Sequence, residues 1–196
     1  MNADIFARRE FADPAWYRFL FGNPIVAPLW AIARIYLGWQ WLQSGWGKVD
    51  GDGWINNDGA SLQAFWERIV VVPDEGRPAI TYGWYRDFIQ FMLDHEWYTW
   101  FAPLIAFGEV FVGLALIIGA FTAIAAFFGA SMNMAFLLAG SASTNPVLLI
   151  IAIFLILAWK VAGYIGVDRW LLPAVGTPWD VGPAFRLFRR GEGRKT

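Results

Sequence analysis

Residues 101–120 read FAPLIAFGEVFVGLALIIGA, an apolar run broken by one carboxylate, Glu109. At ~1.5 Å of helical rise per residue, about twenty such residues cover the ~30 Å hydrocarbon core of a bilayer. An acid in the middle of such a helix is costly unless it is paired, protonated or hydrated, which makes Glu109 a functional-site candidate. An answering cation, Arg34, stands in an earlier apolar segment, PIVAPLWAIARIYLGWQWLQSGW. Counted from the segment ends, both charges fall near the midplane. Two antiparallel neighbouring helices bring their midpoints together, so Arg34 and Glu109 are expected to touch, directly or through one water.

Four apolar segments are legible: residues 25–46, 97–120, 121–139 and 147–167. With 58% hydrophobic residues, thirteen Trp and a mean hydropathy of +0.44, the chain is more apolar and aromatic than a soluble domain. The absence of Cys excludes thiol exchange, thiolate metal sites and disulfides within the chain. One His and no HExxH-like pair leave no expected metal or haem site. No short apolar run precedes a small-residue cleavage site, so no signal peptide is expected. The organisation read from this is a tail over residues 1–23 lying at headgroup level, one membrane domain over 24–170 and a basic tail over 171–196.

The first segment repeats Arg34, Gly38, Trp41, Gly45 and Lys48 at helical spacing, which sets them on one face with small residues for close helix approach. Glu109, Gly113, Leu116 and Ala120 share a face of the second. In the third, Ala126, Gly129 or Ala130, Asn133 and Gly140 form a small-residue stripe with one amide, Asn133, read as helix-packing glue or as a ligand contact. In the fourth, Lys160 either snorkels to the interface or faces inward beside Glu109.

Residues 49–97 are the one long polar stretch. VDGDGWINNDGAS is turn chemistry. Leu62, Phe65, Trp66, Ile69 and Val70 then make one apolar stripe, and Tyr85, Phe88, Ile89 and Met92 a second. Two amphipathic helices are expected to lie flat on the bilayer and cap the bundle. The cations Arg169, Arg186, Arg189, Arg190, Arg194 and Lys195, with Arg8, Arg9 and Arg18, gather in the two tails, and the long loop is rich in acids. The positive-inside rule then puts both termini in the cytoplasm and the long loop outside the plasma membrane. The fold class is all-α: an integral membrane four-helix bundle with amphipathic interfacial helices in its first outer loop.

The run ArgxxxGlyxxTrpxxxGlyTrpxLys from Arg34 to Lys48, GlyGluxxxGlyxxLeuxxGly from Gly108 to Gly119, and the helix-end Asp168 resemble the DoxX/DoxD-like membrane proteins over residues 25–170. The resemblance implies a four-helix bundle and the membrane subunit of a thiosulfate:quinone oxidoreductase working with a smaller partner subunit. On that reading a quinone slot is lined by Trp30, Trp41, Trp46, Phe107 and Phe111. Arg34 and Glu109 are the catalytic candidates: Arg34, with Lys160, stabilises anionic quinone or sulfur species, and Glu109 relays protons. Trp41, Trp46, Lys48, Asn133 and Lys160 are the substrate or quinone contacts. No metal and no nucleic acid are expected; the partners are the bilayer, a membrane quinone and a partner subunit or larger complex. The competing reading is a non-catalytic anchor or assembly subunit of a larger redox or photosynthetic complex, with Arg34–Glu109 only a packing clasp.

Overall fold

The computed structural model describes residues 12–175. Most of the expected N-terminal tail and the basic run from Arg186 to Lys195 lie outside the described residues. A short helix α1 (Ala15–Gly22) ends at Asn23, whose side chain accepts from the Ile25 amide and opens a 3-10 turn over Pro24–Val26. Pro at the first helical positions, where no backbone donor is needed, then starts α2 (Ala27–Asp50), bent by 52° from α1. After a turn-rich link come α3 (Ala60–Val70) and α4 (Gly83–Asp94). The chain continues through α5 (Tyr98–Ile118), α6 (Thr122–Leu138), α7 (Asn145–Leu157), a one-turn α8 (Trp159–Ala162) and α9 (Asp168–Ala174).

Helices α2, α5, α6 and α7 form the bundle, each packing mainly on its neighbour in chain order, with α7 closing back on α2. The described fold is the expected all-α four-helix bundle. The helices run up and down, so one end carries the long α2–α5 connection (the loop end). The other carries the α5–α6 turn and the start of α9 (the turn end). Helix α1 packs on α8, which lies against α2 and α6. The core between the four helices is built by Trp30, Leu37, Trp41, Val112, Leu116, Ala126, Leu155 and their neighbours.

The closest pair is α2 with α5, and glycine sets its register. A methyl group added at Gly45 would stand 2.7 Å from the Val110 backbone nitrogen, and one at Gly38 2.8 Å from the Gly113 carbonyl. One at Gly113 would meet the Leu42 nitrogen at 2.5 Å. Backbone thus faces backbone, the close approach that small residues at helical spacing permit. The stripe from Arg34 to Gly45 and the Glu109–Gly113–Leu116 face turn inward as their spacing requires.

Helices α3 and α4 pair with each other and α3 packs on α5, over a second core of Leu62, Trp66, Ile69, Ile80, Tyr85, Ile89, Met92, Ala102 and Ala139. The Tyr85 hydroxyl donates to the Ala135 carbonyl at 3.0 Å and ties α4 to α6. Both predicted stripes face this core, except that Phe88 is 47% exposed.

Span lengths differ from the sequence expectation. Among the described residues α5 alone is a single straight helix both long and apolar enough to cross a membrane, with a mean hydropathy of 2.3. The bent pair of α1 with Pro24–Asp50 passes the same test together, while α6 and α7 are shorter, at 17 and 13 residues. The fourth segment is no continuous helix: α7 ends at Leu157 and α8 resumes after Ala158.

Candidate functional site

The expected contact between Arg34 and Glu109 does not form. The two side chains sit at different levels of the bundle and take different partners. Arg34, 1% exposed, lies at the turn end and donates to the backbone carbonyls of Leu116, Ile117 (3.1 Å) and Ile165 (2.8 Å). Two of those carbonyls belong to the last turn of α5, where no helical donor remains for them. Asp168 answers on the far side of the turn: its carboxylate accepts from the amides of Phe121 and Thr122 (2.8 Å), at the start of α6. A cation thus stands at a helix C-terminus and an anion at a helix N-terminus, each favoured by the helix dipole, and Asp168 lies within electrostatic reach of Arg34. Gly119 (φ +71°) gives the guanidinium room, and Phe121, also left-handed at φ +46°, is held by the bond to Asp168.

Glu109, fully buried, is paired instead with Lys48: Nζ to Oε2 is 2.6 Å. Lys48 also donates to Ser44 Oγ at 2.7 Å and stands 5.1 Å from the centre of the Trp54 ring. Arg34 and Lys48 are fourteen residues apart on α2, about 21 Å along its axis. The glycine register brings Glu109 opposite Gly45, one turn below Lys48, and brings Arg34 opposite the end of α5. Counting from segment ends missed this, because α2 runs to Asp50 rather than stopping at Trp46.

Around this pair, buried polar atoms lack protein partners. They are Glu109 Oε1, Trp41 Nε1 and both side-chain polar atoms of Asn133. The Trp41 nitrogen lies over Gly129, one turn from Asn133 on α6. Asn133 therefore glues no helix to another through its amide. An unpaired buried polar group costs about 1–3 kcal/mol, and here three helices each hold one; at the turn end Arg34 Nε and Thr122 Oγ1 lack a protein partner as well.

Two cavities flank this layer. One, of about 560 Å³, is a cleft between α5 and α6 roofed by α3 and α4, lined by apolar side chains such as Trp66, Ile89, Phe101, Leu104, Met132 and Phe136. Gly108 and Val112, on either side of Glu109 along α5, reach it. The other, of about 260 Å³, opens at the loop end between α2 and the α6–α7 connection. Gln40, Trp41, Ser44, Lys48, Ser141, Ser143, Thr144 and Asn145 line it.

Other expected residues are elsewhere. Trp46 is 61% exposed and turned away from the bundle, so it lines no internal slot. Lys160 is exposed, its ammonium over the Trp159 ring at 5.7 Å, and does not face Glu109. Trp30 is buried against α1, donating to the Leu20 carbonyl at 2.8 Å, and Phe107 is exposed; of the aromatics proposed for the slot, Phe111 alone reaches the apolar cleft. Sequence reasoning missed Ser44 and Gln40, although their spacing from Lys48 places them on its side of α2. It also missed the anchoring role of Asp168, which no local pattern announces.

A family model described as DoxX matches residues 29–142, which span α2 to α6 and carry Lys48, Glu109, Asn133 and most of both cavity linings. No curated protein and no solved structure matches the chain.

Proposed function

The chain belongs to the DoxX family, a family of membrane proteins, and from that premise we propose that it is the membrane subunit of a quinone-linked oxidoreductase. The observation that carries the reading is the apolar cleft beside a buried carboxylate. Its volume and apolar lining suit the isoprenoid tail of a lipid quinone, and its position between α5 and α6 suits entry from the bilayer. A quinone takes up two electrons and two protons on reduction. The chain's own part is to bind and orient it. The cleft is lined by apolar side chains; Glu109, with a free Oε1, and Asn133, with an uncommitted donor and acceptor, lie behind that lining, next in sequence to Gly108 and Met132, which belong to it, and would meet a quinone head that enters between them. Lys48 steadies the carboxylate left after each transfer. Electrons come from a small sulfur donor such as thiosulfate, with a smaller partner subunit. Arg34 belongs to the scaffold in this reading.

In the bilayer, α2, α5, α6 and α7 with α8 are the four spans. The arginine-rich tails are cytoplasmic and the loop end is outside the plasma membrane. The shorter spans are at home in a bilayer thinned around the protein. The test has two parts: solvent extraction of the purified protein, expected to yield about one quinone per chain, and thiosulfate-dependent reduction of a quinone analogue by membranes with and without it. A stoichiometric complex free of quinone and of this activity would favour the anchor-subunit reading. The exposed aromatic rows of α2 (Trp39, Trp46) and α5 (Trp100, Phe107) offer a surface for that role.

A further inference from the structure

Glu109 stands between two cavities of opposite character, and we propose that the polar one is a water-filled route carrying protons between Glu109 and the aqueous phase at the loop end. The inference rests on the reading of Glu109 as proton donor to a quinone, and adds where that proton comes from.

Three observations carry it. The cavity is walled by the amides and hydroxyls of Gln40, Ser44, Ser141 and Asn145, and 260 Å³ holds several waters at ~30 Å³ each. Its foot is continuous with the carboxylate: Ser44 and Lys48 both line it, Ser44 accepts from Lys48, and Lys48 donates to Glu109. The other approaches are mostly apolar. The polar side chains lining the apolar cleft, Tyr85 and Ser131, have their hydroxyls committed to the carbonyls of Ala135 and Phe127. At the turn end, Arg34 and Asp168 are bonded to backbone and the core above them is apolar, with Arg34 Nε and Thr122 Oγ1 the buried polar atoms there that have no protein partner.

The step balances within these groups. From the Lys48–Glu109 ion pair, Lys48 passes one of its protons to the carboxylate and takes a replacement from cavity water, and the Glu109 carboxyl then gives its proton to a reduced quinone oxygen. The pair ends as it began, and one proton has left the aqueous phase for each one delivered.

The test uses full-length protein in lipid nanodiscs, where both faces are open, and exploits the absence of native Cys. Gln40 and Trp39 are adjacent and so at nearly one depth, but Gln40 lines the cavity and Trp39 faces outward, 56% exposed. With a charged thiosulfonate reagent, which attacks only a thiolate in water, Gln40→Cys is expected to react at least ~100-fold faster than Trp39→Cys. Equally slow reaction of the two overturns the proposal; Ser44→Cys is the second position should Gln40→Cys not fold. Quinone extraction from the same preparations separates the two readings: labelling at Gln40 without bound quinone sinks the functional reading and leaves the hydrated cavity. A final arm poises quinone-loaded nanodiscs electrochemically and follows proton uptake with a pH indicator, against protein-free discs. Ser44→Leu, which puts apolar bulk at the foot of the cavity, is expected to slow protein-dependent uptake at least ~10-fold. Uptake at the unaltered rate overturns the route.

Discussion

Lys48 and Arg34 are cations on one helix with different employment, and substitution separates them. Lys48→Met leaves Glu109 buried without a counter-ion and should cost on the order of 3 kcal/mol, while adding Glu109→Gln should recover most of that stability. Thermal melts in detergent decide it; a double variant as unstable as the sum of the single ones would show that the 2.6 Å contact carries no coupling. Arg34 should couple to Asp168 and not to Glu109. A cycle of Arg34→Gln with Asp168→Asn is expected to show an interaction of about 1–2 kcal/mol, and the same cycle with Glu109→Gln close to none. The sequence displayed every one of these charges without displaying who meets whom. Glu109 could be picked out as a candidate because an acid in an apolar helix is conspicuous. Its partner depends on the glycine contacts that slide α5 along α2, and those are visible only once the helices are packed.

Helices were the most legible level, because apolar residues recur at three- and four-residue spacing and the buried faces follow. What spacing omits is how near two backbones come. Gly113→Ala should disrupt the α2–α5 pair, since the added methyl meets backbone rather than a movable side chain. A loss of about 1–3 kcal/mol is expected, read as a lower melting temperature, against little effect for Gly108→Ala, whose added methyl meets nothing. The roof is held by chemistry the stripes do not announce. Tyr85 is buried, which pushes its phenol pKa up, and its proton is given to Ala135. A group whose folded pKa is raised contributes stability below the unfolded value of about 10 and loses it as the pH climbs through the folded one. The wild-type melting temperature should therefore hold up to about pH 10 and fall above it, and Tyr85→Phe should start about 1 kcal/mol lower with a flatter alkaline limb.

Across the whole molecule, the up-and-down order of the bundle puts α3 and α4 at the same end as the polar cavity, which under the proposed four-span arrangement is one side of the membrane. A Cys placed at Asp74 should be labelled by an impermeant reagent in intact cells; labelling solely after lysis would reverse the proposed orientation. The architecture was readable because four apolar segments with short links at one end leave few arrangements. Its fastening was not, since it joins residues remote in the chain. Asp168 follows the Thr122 amide it holds by 46 residues. That distance has a consequence for synthesis. As the chain leaves the ribosome, α5 and α6 emerge with the turn between them uncapped, and Phe121 has nothing to hold its left-handed backbone. The end of the hairpin then waits for nearly fifty more residues, including the whole of α7, before its carboxylate arrives. The last part translated of the described bundle thus locks a joint made earlier, and a nascent chain released before Asp168 would carry all four bundle helices yet expose an open seam to the cell's quality control.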